Sequence, residues 1–303
     1  MDTAEFLRRF SEGERDFSKV NFVQPGYSGI DLSGQDLRGA IFTGANLAFA
    51  NFSGTNLSLV DLRANLSGAN LSGAILENAN LQGTRFNDAD LSNANLSGAD
   101  MKNADLVGAV LENANLRNTD LRKADFSADG HGCNADFSGA NFQETGLYEG
   151  IIGKSILAGA DFTGARFGQF LITECDFSNA NFSDTWISET DFTGSNFTGA
   201  RFHKAHIDSG DFTNANLTHA DFRNAVFFYS PKYLTKVGGA IVDGANFEET
   251  IFFISRVHEP LDLDVSEVPG AICVSCTSDL ANLDLDKYRP SAIEEILESL
   301  RTA

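Results

Sequence analysis

A large apolar residue returns at every fifth position through most of this chain, a period that belongs neither to an α-helix nor to an ordinary β-strand. The interval is cleanest from Asn65 to Phe126, where Leu66, Leu71, Leu76, Leu81 and Phe86 begin a series of centres that runs unbroken to Phe126. Two residues before each centre stands mostly Ala, one before is commonly Asp or Asn, and two after is commonly Gly or Asn. An internal repeat of this kind takes precedence over any other reading of the sequence.

The first unit is Asp16-Phe17, and centres follow at Phe22, Tyr27, Leu32 and onward to Leu62. One residue is missing near 62–66 and one is inserted near 127–136, so the two irregularities cancel. Centres resume at Phe137 and continue to Phe227. The pattern lapses near 228–239, as an irregular loop would, and returns at Val242, Phe247 and Phe252. The sequence therefore divides into residues 1–15, a repeat array over 16–257, and a tail over 258–303.

In an extended segment, residues two apart point to the same side, so each centre and the small residue two before it face inward together. Gly or Asn two after the centre tolerates the backbone of a corner. These A(D/N)LXX units resemble the pentapeptide-repeat family. The opening, Phe6-Leu7-Arg8-Arg9-Phe10 through Asp16-Phe17, is similar to the N-termini of cyanobacterial members. The resemblance implies an all-β solenoid, the right-handed quadrilateral parallel β-helix, in which four units close a coil of about twenty residues. About twelve coils at the inter-strand distance of roughly 4.8 Å give a rod on the order of 58 Å long.

A one-dimensional stack needs closed ends. Residues 2–10 read as a capping helix, with Asp2 and Glu5 at capping-box spacing and Phe6, Leu7 and Phe10 in one stripe. The tail ends in an amphipathic helix over 291–301, begun by Ser291 with Glu294, whose stripe is Ile293, Ile296, Leu297 and Leu300. That helix could close the last coil, join two copies as a homodimer, or dock another protein.

A net charge of −20 argues against direct binding to nucleic acid or to anionic membranes. The start of the chain lacks the apolar run of a signal peptide, and no stretch has the length to span a membrane. Four Cys without regular spacing suit a reducing compartment, so the expected location is the cytoplasm.

The sequence offers no catalytic constellation and no cofactor motif, and the expectation is a protein that is not an enzyme. Gly153-Lys154-Ser155 imitates the end of a phosphate loop, but Tyr148 stands where that loop needs Gly. His203, His206 and His219 read as solvated surface residues. Cys273 and Cys276 form a lone C-x-x-C, which with His131 and Cys133 could make a Cys3His zinc site if the tail folded back. Ordinary thiols or a tail disulfide explain them as well, and no metal is expected.

Taking the residue before each centre and assigning every fourth unit to one side separates the outer faces. One carries Asp61, Asp100, Asp120, Asp161 and Asp221, with Asn80, Asn141 and Asn181 between them and Arg201 breaking the strip. A second carries Arg85, Arg166, Trp186 and His206 beside Asp105 and Asp125. A third runs Asp90, Val110, Gly130, Ile151, Leu171 and Asp191, so that Val110, Ile151 and Leu171 make an apolar patch on a polar rod. Either a partner or the chain's own tail could cover it.

Two functions follow. The first is a rigid, non-enzymatic scaffold for an unidentified protein partner. The second comes from the resemblance: an acidic mimic of duplex DNA that binds DNA gyrase and protects it from quinolones. The repeat array carries a net charge near −12, because the tail from His258 holds ten acids against three bases and residues 1–15 hold four against three. That is one net charge per roughly 5 Å of rod, against one per about 1.7 Å for duplex DNA. The scaffold is the leading expectation.

Overall fold

Each five-residue unit folds into one bridge and one turn. The residue before the centre pairs with its counterpart in the next coil, and the centre's carbonyl accepts a hydrogen bond from the amide three residues on, as in Ala79 N to Leu76 O at 3.1 Å. The third turn residue lies in the left-handed region: Asn78 has φ +54° and Gly98 φ +68°. Turns closed this way favour Gly or Asn there, which explains their recurrence two after each centre. The Asp or Asn before the centre is equally local in purpose. Its Oδ1 accepts the amide two residues on, as in Ser72 N to Asn70 Oδ1 at 2.9 Å and Ser178 N to Asp176 Oδ1 at 3.0 Å.

The computed structural model describes residues 1–22, 29–126, 134–229, 240–254 and 272–274, with backbone alone at 228–229, 252–254 and 272–274. Four units close a coil, and successive coils pair in parallel along four ladders. The step between coils is 20 residues through most of the rod, as in Asn80 to Asp100. It shortens to 19 from Asn46↔Asn65 to Asp61↔Asn80, and lengthens to 21 at Asn115↔Asp136, Asp120↔Asn141 and Asp125↔Gly146. Parallel strands joined by crossovers in one sheet wind right-handedly, and the chain is a right-handed quadrilateral β-helix. The ladder from Asp16 to Asn246 makes eleven steps, roughly 53 Å at the usual strand spacing.

Two departures come from longer steps. Asp16↔Ile41 and Asn21↔Asn46 are 25 residues apart, whereas Asp31↔Asn51 is 20. The first step thus carries one unit more than four sides need, and Tyr27 lies outside the described residues. A step of 25 recurs at Asn216↔Ile241 and Asp221↔Asn246.

The core is a column of centres, 0–4% exposed from Phe17 to Phe227, with Ala filling the corners. It changes character along the rod. Behind the first ladder the centres are Leu62, Leu81, Met101 and Leu121, then Phe142, Phe162, Phe182, Phe202, Phe222 and Phe247. Those six rings stack face to face at 4.6–4.9 Å with interplanar angles of 2–13°. The ring separation equals the strand spacing, so the backbone sets the stack.

Helix α1 (Thr3–Ser11) closes the N-terminal end. Its cap is Asp2, whose side chain accepts the Glu5 amide at 2.8 Å. Phe6 is fully buried, with its ring 4.5 Å from Phe17, 5.7 Å from Phe22 and 5.9 Å from Phe42. The Met1 amino group donates to Asn21 O at 3.0 Å.

One face has extended strands rather than single bridges. Strands β1 (Gly146–Tyr148), β2 (Arg166–Gly168), β3 (Trp186–Ser188), β4 (His206–Asp208), β5 (Val226–Tyr229), β6 (Ile251–Ile254) and β7 (Ile272–Val274) form one parallel sheet in chain order.

Candidate interaction surfaces

The outer surface of this β-helix is built from the two residues that flank each centre and the turn residue two after it; the flanking pair gives each ladder two columns of side chains. The ladder Asp61–Asn80–Asp100–Asp120–Asn141–Asp161–Asn181–Arg201–Asp221 brings the whole acidic strip onto one face. The second column neutralises much of it. Arg63 lies 2.6 Å from Asp61, Lys102 lies 2.9 Å from Asp100 and 3.1 Å from Asp120, Arg122 lies 2.7 Å from Asp120, and Arg223 lies 2.6 Å from Asp221. Among the described residues Asp161 pairs with no cation but accepts from Thr163, Gln143 and Asn181 at 2.6–3.1 Å.

Hydrogen bonding follows the same pattern. Arg122 holds Asp120 down at about 2, with burial opposing it and Lys102 assisting. Arg63 lowers Asp61. At Asp100 burial works against ionisation, but hydrogen bonds from Lys102 and Gln82 win and lower it. The strip is a row of ion pairs rather than an uncompensated acidic field. Reading the column before the centres alone misses the counter-ions, since they occupy the column after the centres.

The apolar patch lies on another ladder, where Asp90 pairs with Val110, and Ile151 with Leu171 and then Asp191. The position between Val110 and Ile151 falls outside the described residues. Val110 and Ile151 are half-buried, and Leu171 is 45% exposed. The structure adds two residues from neighbouring faces of the same turn of chain: Tyr148 at 38% and Ile156 at 44%. The signal for Ile156 was present in the sequence, because Ile replaces the usual Asp or Asn before its centre. Tyr148 is in the column after the centres.

Tyr148 borders an open cleft of about 730 Å³ lined also by Gln143, Glu144, Thr163, Arg166 and Asp184. The cleft exists because Gly146 leaves a gap in the column between Asp125 and Arg166. The Tyr148 ring lies over two glycines: a Cβ at Gly146 or at Gly168 would come within 2.8 Å of it. Glu144 is paired with Lys123 at 2.9 Å.

His206 departs from the sequence reading. It is 7% exposed rather than solvated, its ring stacked on Trp186 at 3.7 Å and 12°. The ladder places Trp186, His206 and Val226 in series, so an aromatic and an aliphatic side chain flank the imidazole. Burial pulls its pKa down to about 3. Among the described residues no group of three or more His, Cys, Asp and Glu could hold a metal. His131, Cys133 and Cys276 lie outside the described residues, as do the Cys273 side chain and the helix stripe Ile293, Ile296, Leu297 and Leu300. No described helix is long and apolar enough to cross a membrane.

A sequence profile for pentapeptide repeats matches eight copies, over residues 28–63, 64–103, 94–128, 175–214 and 211–230, more than half of the chain. No curated protein matches it. Among solved structures it is similar to HetL, a pentapeptide repeat protein involved in heterocyst differentiation regulation in Nostoc sp. PCC 7120. The two are 25% identical over 82% of this chain and 94% of that one, with a TM-score of 0.29. A pentapeptide repeat protein of the Arabidopsis thaliana thylakoid lumen is 33% identical over 31% of this chain and 67% of its own, with a TM-score of 0.31. QnrB1, a plasmid-mediated fluoroquinolone resistance protein, is 21% identical over 72% of this chain and 91% of its own, with a TM-score of 0.27.

Proposed function

The chain belongs to the pentapeptide-repeat family, and we propose that it is a rigid, non-enzymatic scaffold that docks a cytoplasmic protein through the apolar band around Gly146–Leu171. One observation carries the reading. Tyr148, Ile156 and Leu171 are each more than a third exposed on three faces of two adjacent coils, where the repeat elsewhere presents mostly Asp, Asn and Ser. An aromatic anchor with aliphatic neighbours is the composition of an interface hot spot. The backbone beneath them is fixed by ladders on both sides, so binding orders little that is not already ordered. The carboxylates have a structural use in the turns, which supports a scaffold over an enzyme.

The DNA-mimic reading loses support at the acidic strip, because Arg63, Lys102, Arg122 and Arg223 sit among the carboxylates that would imitate phosphates. On this reading micromolar protein leaves gyrase supercoiling unchanged; inhibition would reverse the preference. The scaffold is tested with Ile151→Asp and Leu171→Asp together. Proteins retained by the wild-type chain from its native host should be lost by the double variant while its circular dichroism stays native. Unchanged capture would refute the band as the docking site.

A further inference from the structure

The C-terminal half of the seven-stranded face differs from the other outer surfaces. Isoleucines in the column before the centres on the ladder that runs from Asp36 through Asn56 to Ile241 are open: Ile75 is 37% exposed, Ile156 44% and Ile241 55%. On the sheet face His206, Val226 and Ile251 hold the same position at 7%, 5% and 1%. Ile241 and Ile251 are ten residues apart, share residue type and repeat position, and differ from half open to closed. Beside them the register pairs Phe228 with Phe253, and β7 continues the series with Ile272 and Val274. At His206, Val226 and Ile251 a closed surface stands where a β-helix ordinarily meets water.

We propose that this face is the seat of the chain's own C-terminal segment, with the stripe Ile293, Ile296, Leu297 and Leu300 laid against Val226 and Ile251. The reach is sufficient. Residues 275–290 could span up to roughly 54 Å if extended, and the way back from β7 to β4 is three strand spacings, about 14 Å. An eleven-residue helix is about 16 Å long, enough to cross those strands. Charge sets the orientation. Arg201 and Lys204 are exposed and make no ion pair among the described residues, whereas Glu189 and Asp208 line the opposite corner. The segment carries Glu294, Glu295 and Glu298, which belong on the Arg201 and Lys204 side. A second copy or an outside protein would meet the same apolar residues but would have to displace a segment tethered beside them, whose effective concentration is in the millimolar range. This C-terminal half of the face lies away from the band at Gly146–Leu171, which meets the sheet only at β1 and β2, so neither proposal depends on the other.

The test uses the full chain with p-benzoylphenylalanine substituted for Leu297. Irradiation should give cross-links within one chain to peptides containing Val226–Tyr229 or Ile251–Ile254. Cross-links between copies, cross-links elsewhere on the chain, or none at all would overturn the assignment. In a second variant, Ile296→Asp with Leu297→Asp, amide exchange in β4–β6 should quicken about tenfold while the coils from Asn65 to Phe126 hold their rates. Unchanged exchange in β4–β6 would equally overturn it.

Discussion

Replacing Phe182 by Leu separates what the aromatic column adds from what any apolar side chain would add. The Phe182 ring stacks on Phe162 and on Phe202, each at 4.8 Å, and meets Phe177 at 5.3 Å with a 64° tilt. A favourable aromatic pair contributes about 0.5–1.5 kcal/mol beyond its buried area, so losing two stacked partners costs about 1–3 kcal/mol. Truncation to Ala adds a cavity and costs about 3–5 kcal/mol. Leucine is sterically at home in this column, since Leu62, Leu81 and Leu121 fill it in earlier coils. Phe182→Leu combined with Phe202→Leu removes their shared stack only once, so the pair should cost less than the sum by about 0.5–1.5 kcal/mol. Urea unfolding would be followed by far-ultraviolet circular dichroism and by the fluorescence of Trp186, the chain's single tryptophan, one side further along the same coil. Repeat arrays can unfold locally, so the tryptophan transition reports the perturbed coil and the dichroism reports the rod. A Phe182→Leu cost below about 0.5 kcal/mol, or strict additivity with Phe202→Leu, would refute the stacking argument.

Protonation gives a second expectation. His206 is pulled down to about 3, so the unfolded chain takes up a proton below about pH 6.5 that the folded chain refuses. Stability is therefore full above pH 6.5 and falls by up to about 1.4 kcal/mol per pH unit toward pH 3; a His206 imidazole titrating near 6.5 in the native protein would contradict this. Arg122→Gln should return Asp120 from about 2 toward the ordinary carboxylate range, read by carbonyl NMR titration, because its main hydrogen-bond donor is gone. Leu59 is 68% exposed at φ +60°, a backbone that Asn tolerates better than Leu because its short polar side chain can hydrogen-bond locally, so Leu59→Asn should raise the unfolding free energy by about 1 kcal/mol in urea titration. Ala180, fully buried at a corner, leaves no room for growth, and Ala180→Leu should cost about 1–3 kcal/mol or more by thermal denaturation.

The fold was legible because its determinants are local and periodic. An inward Leu, an inward Ala and a left-handed Asn or Gly each report their own place within five residues. The surface was less so, for two reasons. Charge on a face is a sum over two columns, and the Asp column predicts a strong field until Arg63, Lys102, Arg122 and Arg223 are placed beside it. Burial of an outward residue depends on what lies over it, so the sequence could place His206 on a face but not predict that Trp186 and its surroundings would close it.

Helix α1 has a consequence beyond the three rings it covers. A parallel coil has direction but no natural terminus, since the top of one coil matches the bottom of any other in spacing, register and apolar cross-section. Were residues 1–15 removed, Phe17, Phe22 and Phe42 and the unpaired peptide groups of the first coil would become a seed on which another copy could continue the same winding. The expected product is a filament, visible as growing light scattering with retained β-type dichroism. Nine helical residues thus close the N-terminal end of the rod to such growth.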